Sequence, residues 1–418
     1  MSSINLRYGK TFTKFEFDPE KYSILGESTS HLPLTDVEIG ERFDAPVNSQ
    51  KIEEIIGPGE TVLFVVPDAT RQTACGQVIN LLIRRLIANG TMPFDIRIIF
   101  ATGIHRKVSD EEKLDIVTPF IAQRTKMLDH NPRDLAQIVR FGETSGGIPI
   151  ELNRAVAEHD HTVIIGGINF HYFAGFTGGR KLICPGLGST RTISETHKLA
   201  FDFDRMARRE GVGAAKLDGN AVNEAFEEIV EKFPPSFAVN TIVDDHGAAI
   251  EIFAGNWKTS HRKACDYYAE HHTKKVGEKR AIVIASCGGF PHDINLIQAH
   301  KALDAAANAC KDGGTIILLA ECENGLGKSD FLDWFEAENS DSLAERLSEN
   351  YQVNGQTAWS LLKKAERFNI RIISSLAETE TRRMRLQPAP DLENALAEIS
   401  VNEKGYILPY GAKFLINA

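Results

Sequence analysis

The sequence predicts an α/β protein of two domains, each with a parallel sheet covered by helices, and three observations predict it. Its 418 residues exceed the roughly 150 that one ordinary core takes. Hydrophobic residues make up 42% and charged residues 25%, the balance of a folded globular chain. From about Thr61 onward, β-branched apolar runs alternate with amphipathic stretches, and that alternation builds parallel sheets with helical crossovers.

The first strands expected are TVLFVVP at Thr61–Pro67, FDIRIIFAT at Phe94–Thr102 and HTVIIGGI at His161–Ile168. Each is apolar through its middle, as a strand buried on both faces must be. Each then runs into polar residues, Asp68–Arg71, Gly103–Arg106 and Asn169–His171, and in open α/β sheets ligands bind beyond the carboxyl ends of the strands. Ser236–Val243 and Ala248–Gly255, around Asp244–Gly247, read as a hairpin. A helix then runs into the charged stretch HHTKKVGEK, where the domain boundary is placed. The second half restarts with a strand at Arg280–Ser286, a helix at Asn295–Cys310 and a strand at Gly313–Glu321. Helices around Ser342–Glu349 and Gln356–Phe368 and a strand at Ile370–Ser375 follow. This gives a larger cofactor-binding domain over 1–273 and a smaller Rossmann-like domain over 274–418. No low-complexity linker separates them, so the active site is expected in the interdomain cleft.

Lys plus Arg number 47 and Asp plus Glu 57, a net charge of −10. No basic block is present to neutralise a phosphate backbone, so nucleic acid is not an expected partner. No segment approaches the roughly 20 apolar residues of a membrane span, and no membrane association is expected. The opening residues lack the pattern of a secretory signal, which points to a cytoplasmic address. Cys75, Cys184, Cys265, Cys287, Cys310 and Cys322 are scattered singly, which excludes a zinc ribbon or a thioredoxin-type pair. Buried, reduced thiols are expected.

The segment Ile168–Phe201 is the densest in chemistry: Gly-rich, with His171, Arg180, Lys181 and His197. Small residues bordering a lysine suit close approach of the backbone to a ligand. The GGRK run departs from the phosphate-cradle motif, because Leu182 stands where Ser or Thr would hold magnesium. An ATP loop and a plain Gly-rich loop with a solvated lysine stand as the other two readings. STRTISETHKLAF has helical spacing, with start signals at Ser194–Thr196, and places His197 on a helix. A histidine that merely satisfies a buried hydrogen bond is the bland alternative there.

In PDATRQTA, Asp68 or Thr70 can cap the following helix, a terminus that also favours anions. Arg71 adds a planar fork suited to carboxylate or phosphate, which a cap does not need. In ATGIHRKVSDEE, Ser109 and Glu112 form a capping box and leave His105 and Arg106 exposed at a strand end. His105 and His171 can then flank a substrate as alternating acid and base. Gln298 and Lys301 share one helical face, which either meets an anionic substrate or is simply solvated.

Taken in order, DATR (68–71), ATGIHR (101–106), HNP (130–132), HYFAGFTGGRKLICPG (171–186), SETHKLA (194–200) and DINLIQAHKAL (293–303) resemble the nickel-pincer lactate racemase family. The likeness spans nearly the whole chain. It implies a nickel-pincer nucleotide: nickel held through carbon and two sulfurs of a pyridinium mononucleotide, with one protein histidine as fourth ligand. His197 matches that ligand, and Lys181 matches the lysine in covalent thioamide linkage to the cofactor. His105 and His171 match the acid/base pair, and Asp68, Arg71, Gln298 and Lys301 match residues lining the substrate site. Thr70, Gly178 and Gly179 fall on neighbouring turns that would hold the cofactor. Gln356 and Trp359, in NYQVNGQTAWSLLKK, are further candidates for reaching the substrate.

The implied activity is racemisation or epimerisation of a 2-hydroxy acid by transient hydride transfer from C2, through a 2-keto acid. Imidazole suits nickel(II), and the cofactor carries the difficult step. Cofactor-maturation proteins are the implied partners, besides the small-molecule substrate. An NAD-dependent 2-hydroxyacid dehydrogenase is the rival enzyme, but neither GETSGG nor CGGFPH gives G-x-G-x-x-G directly after a strand. The non-enzymatic rival is a ligand- or cofactor-binding protein, in which a paired acid and base have no purpose.

Overall fold

The computed structural model describes residues 1–26, 31–397, 399 and 403–418. The chain divides into two compact units, each assembled from separate segments: 30–200 with 210–268, and 1–29 with 201–209 and 269–418.

The first unit is built on a six-stranded sheet in the order Ala249–Gly255, Phe237–Val243, His161–Gly167, Val62–Pro67, Ile96–Ala101, Lys126–Asp129. All neighbours are parallel except Ala249–Gly255, which returns antiparallel as the expected hairpin. Val62 to Val66 have no exposed surface, because both faces are covered. Val62, Phe64 and Val66 meet Val78, Ile79, Leu82, Ile83 and Leu86 of the helix Cys75–Ala88. Leu63 and Val65 face the opposite core, with Phe226 and Ile229 of the helix Ala221–Val230. Each such side chain is worth about 1.5–3 kcal/mol when fully buried, which is why the run tolerates no polar residue.

Strand order reverses at Val62–Pro67. The next strands in the chain, Ile96–Ala101 and Lys126–Asp129, lie to one side, whereas His161–Gly167 lies to the other. Such a reversal opens a crevice beyond the carboxyl ends of the two strands that diverge. Those ends carry Asp68–Arg71 and Ile168–His171.

The second unit has a six-stranded sheet in the order Gln387–Pro388, Asn369–Ile373, Cys310–Leu319, Arg280–Ser286, Gly405–Leu408, Tyr22–Ile24, every pair parallel. The division differs from the one expected at 273/274. Residues 1–29 belong to the unit that holds the C-terminal half, because Tyr22–Ile24 pairs with Gly405–Leu408. The hairpin Ser2–Tyr8/Thr11–Phe17 also packs Leu6 and Phe17 against Ile282, Ile284, Ile317 and Leu319. Residues 201–209 join the same unit through Phe201, whose ring meets Trp359 edge-on at 4.9 Å. The helix expected over Asn295–Cys310 forms as two pieces, Leu296–Ala299 capped by Asn295 and Lys301–Ala309, with His300 between them.

No described helix is long and apolar enough to cross a membrane. All six cysteines are buried and free.

Leu6 has no exposed surface, and removing its buried methyl groups leaves a cavity. Leu6→Ala should therefore destabilise the second unit by about 2–5 kcal/mol. Amide exchange in the strands Arg280–Ser286 and Cys310–Leu319 should accelerate, with the first unit unchanged. Acceleration confined to the first unit would contradict the assignment of the N-terminal hairpin.

Candidate active site

The carboxyl end of Val62–Pro67 turns sharply at Asp68, which is 5% exposed. Its Oδ1 accepts from the Thr70 N–H at 2.9 Å and the Thr70 hydroxyl at 2.5 Å. Its Oδ2 lies 2.6 Å from His105 Nδ1. Burial pushes the Asp68 carboxyl up, but His105, Arg71 and Thr70 outweigh it and hold it below the usual carboxylate range. An ionised carboxylate only accepts, so neutral His105 carries its proton on Nδ1 and offers a lone pair at Nε2. Neither Asp68 nor Thr70 caps the following helix, as the sequence reading allowed. Its N-cap is Ala74, at φ +50°, with no side-chain bond, a left-handed conformation uncommon away from glycine. Asp68 and Thr70 instead build the support of His105.

The segment beyond His161–Gly167 forms the second wall. Gly178 and Gly179 have φ of +72° and +49°, and a Cβ would meet Ile168 Cδ1 at 2.8 Å in one and the His261 ring at 2.4 Å in the other. Only glycine fits both turns. Arg180 is 1% exposed and braces the loop from beneath, donating to the carbonyls of Ala174 and Phe176, with His261 Nε2 at 3.0 Å. Burial pushes its guanidinium down to about 10, so it stays charged at neutral pH.

Phe173 is the hub. Its ring lies 4.4 Å from the ring of His171 and 5.0 Å from that of His197, and Lys181 Nζ sits 5.6 Å from its centroid. Phe226 closes the other side, 5.8 Å from His197 and 5.7 Å from Lys181 Nζ. The helix Thr190–Lys198 is capped by Ser189 rather than by Ser194–Thr196, and it delivers His197 to this wall. Burial, and then the charge of Lys181, push the His197 imidazole down to about 3, with a smaller contribution from His105. His105, Lys181 and His197 thus belong to one electrostatic neighbourhood, to which His171 is joined through the ring of Phe173. His171 Nδ1 accepts from the Ala174 N–H at 3.3 Å, which puts the proton of the neutral ring on Nε2.

Arg71 is half-buried beside Asp68. Gln298 and Lys301 lie in the other unit, with Lys301 Nζ donating to Gln298 Oε1 at 2.5 Å. The candidates Gln356 and Trp359 are 6% and 5% exposed and are occupied by Tyr351 and Phe201. Phe173 and Phe226 were missed in the sequence because core-facing aromatic residues look like any core, and His261 because it sits in a charged helical stretch that reads as a solvated face.

A parallel sheet whose strand order reverses at Val62–Pro67, with histidines and a lysine of perturbed surroundings gathered beyond its carboxyl ends, marks an α/β enzyme. The N-terminal domain model of lactate racemase matches residues 8–208 and its C-terminal domain model matches 276–406. The lactate racemase of Thermoanaerobacterium thermosaccharolyticum is 28% identical over 431 residues, covering 100% of this chain and 99% of that protein. That of Lactiplantibacillus plantarum is 30% identical over 335 residues, covering 79% and 77%. The structure of the Thermoanaerobacterium lactate racemase apoprotein superposes with a TM-score of 0.89 at 25% identity over 100% of both chains. A Thermotoga maritima protein shares the fold at a TM-score of 0.71 and 20% identity, over 94% of this chain and 100% of that one. The chain belongs to the lactate racemase family, and it is an isomerase of the racemase class.

Asp68→Asn keeps the shape but removes the acceptor that fixes the His105 tautomer. Turnover should fall about 100-fold or more, as when the carboxylate behind a catalytic histidine is neutralised, with KM little changed. Unaltered kcat would mean that His105 does not act through Asp68.

Acid should unfold this unit through its buried histidines. His130, His197 and His261 are held at about 4, 3 and 3, in each case first by burial, whereas unfolded imidazoles titrate near 6.5. Below about pH 6.5 the unfolded chain takes up protons that the fold refuses, so stability falls as pH drops toward 4. Each ring adds a slope of about 1.4 kcal/mol per pH unit. The stability from Asp68, whose folded value is lowered, persists to lower pH and is lost only below about 3.9. Melting temperature measured from pH 7.5 to 4.5 should fall steeply below 6.5, and a flat profile would contradict neutral burial.

Proposed function

We propose that the chain racemises or epimerises a 2-hydroxy acid with a nickel-pincer nucleotide held in the first unit, and that lactate is the substrate to test first. The observation that carries this reading is the convergence of His171, Lys181 and His197 on Phe173, with His105 close enough to act on His197. The residues fit the group. A neutral imidazole has the lone pair a metal needs, and Lys181 brings a primary amine to the same wall for covalent attachment. Among the described residues no set of three or more His, Cys, Asp or Glu is arranged to hold a metal; His197 would be the protein's ligand to the nickel of the group.

When bound, the group supplies a reversible acceptor for the C2 hydride, a hydrogen too weakly acidic for imidazole to remove as a proton. The protein's own groups move the other proton. His105 takes the hydroxyl proton at Nε2, and the Asp68 carboxylate on Nδ1 stabilises the resulting imidazolium. The 2-keto acid so formed regains its hydrogen on the opposite face, where His171 in its protonated form supplies the proton to the oxygen and is left neutral, and proton exchange with solvent returns both rings to their starting states. For the other enantiomer the two histidines exchange roles, and no net oxidation occurs. Arg71 offers its planar fork to the substrate carboxylate. Gln298 and Lys301 add to substrate recognition, which predicts raised KM in their alanine variants. Thr70, Gly178 and Gly179 shape the turns around the cofactor. Maturation proteins deliver the cofactor in the cytoplasm, a reducing compartment that suits six free buried thiols.

The test is the intact mass, under denaturing conditions, of protein made alongside the cofactor-making machinery. Wild type should carry an adduct of cofactor size, and Lys181→Ala should carry none. His197→Ala should lose nickel, while His105→Ala and His171→Ala keep nickel and lose racemisation of enantiopure lactate. Full nickel occupancy in His197→Ala removes the ligand assignment, and full activity in either other variant removes the acid/base pair.

A further inference from the structure

The HNP segment matches a family motif, yet nothing above gives His130 a task. The residue is 4% exposed and lies just beyond the strand Lys126–Asp129. Its Nε2 lies 3.1 Å from the Gly188 carbonyl, and its Nδ1 lies 3.2 Å from Asn153 Nδ2. An amide nitrogen donates and a carbonyl accepts, so the ring accepts from Asn153 and donates to Gly188. Its own carbonyl accepts from the Thr102 hydroxyl at 3.4 Å.

These three partners belong to the parts of the site that must keep register with one another. Thr102 begins the turn that carries His105, and the His105 N–H donates back to the Thr102 carbonyl at 2.9 Å. Gly188 ends the loop that starts at Lys181 and immediately precedes Ser189, the N-cap of the helix bearing His197. The next turn of the motif holds the same junction, since the Pro132 carbonyl accepts from the Thr190 N–H at 3.1 Å, and the Gly103 N–H donates to the Gly186 carbonyl at 2.9 Å. Asn153 is itself fixed, through its N–H on the Leu187 carbonyl and its Oδ1 on the Ala155 N–H. The His130 residue thus reaches the base loop, the residue before the N-cap of the ligand helix and the strand Pro149–Asn153 together.

We propose that His130 is a positioning residue, which locks the register between the loop of the base His105 and the helix of the nickel ligand His197. This rests on the function proposed above. The ring touches neither substrate nor cofactor. A rigid helix passes a shift at Ser189 to His197 two turns later, so freeing Gly188 moves the ligand relative to the base.

The experiment uses holoprotein made with the cofactor-making machinery, in wild type, His130→Leu and His130→Gln. Leucine fills the space without either hydrogen bond, and glutamine can still donate to Gly188. Nickel release to a chelator at 25 °C, the adduct mass at Lys181, and kcat and KM on lactate are measured on each, with circular dichroism to follow folding. In His130→Leu nickel should leave at least ten-fold faster and kcat should fall about ten-fold. The adduct should stay intact and KM within about two-fold, and His130→Gln should recover at least half of both losses. Should the leucine variant fail to fold, His130→Asn, whose amide is too short to reach Gly188, is read by the same criteria. Wild-type nickel release and kcat in the leucine variant overturn the inference, as does nickel loss that merely tracks unfolding or a glutamine variant no better than leucine. A wild type lacking both adduct and nickel overturns the proposed function and this inference with it, whereas a loaded wild type with unchanged variants overturns this inference alone.

Discussion

The His197 ring is 6% exposed and lies between Phe173 and Phe226, so its charged form is denied the solvation it has in water, and the Lys181 charge adds to that cost. The ring therefore keeps a free lone pair across the whole physiological range. Everything nearby serves that condition. The aromatic rings exclude water, the glycine turns let the lysine loop fold back under them, and the buried Arg180 ties that loop to the carbonyls of Ala174 and Phe176. A guanidinium with no carboxylate bonded to it is an expensive brace. Its carbonyl partners and His261 replace part of the lost hydration.

The two acid/base histidines live in contrasting surroundings, and the contrast is useful. His105 has a side chain 41% exposed and rests on a buried carboxylate. His171 is 7% exposed, stacked on Tyr172 at 5.4 Å and edged by Phe173, with Nδ1 occupied by a backbone N–H. In their neutral forms the two rings are thus set in opposite tautomers, with the proton on Nδ1 of His105 and on Nε2 of His171.

Much of the fold was legible because a strand buried on both faces must be apolar throughout. The runs at Val62–Pro67, Ile96–Ala101 and His161–Gly167 announce themselves in that way, and their polar ends announce the site. The N-terminal hairpin was not legible. Its strands, such as TFTKFEF, are short, and the sheet they pack against, with Ile282, Ile284, Ile317 and Leu319, lies hundreds of residues away. The site divides along similar lines. His105, His171, Lys181 and His197 stood out because their types are rare in apolar or glycine-rich runs. Asp68 looked like a cap or a substrate contact, since nothing in a linear pattern says that a carboxylate will turn toward a histidine 37 positions on. Phe173 and His130 owe their importance to convergence in space, which has no sequence period.

The strand Tyr22–Ile24 forms the outer edge of the second sheet, and its one neighbour is Gly405–Leu408. A ribosome adding ~5–20 residues per second needs roughly 20–80 s to cover that stretch. Until that stretch is made, Leu6, Phe15 and Phe17 lack part of the sheet that covers them. The first unit, whose strands all lie between Val62 and Gly255, can close meanwhile, so the two units reach completion at different points of synthesis, one while the chain is still growing and the other only once Gly405–Leu408 has emerged.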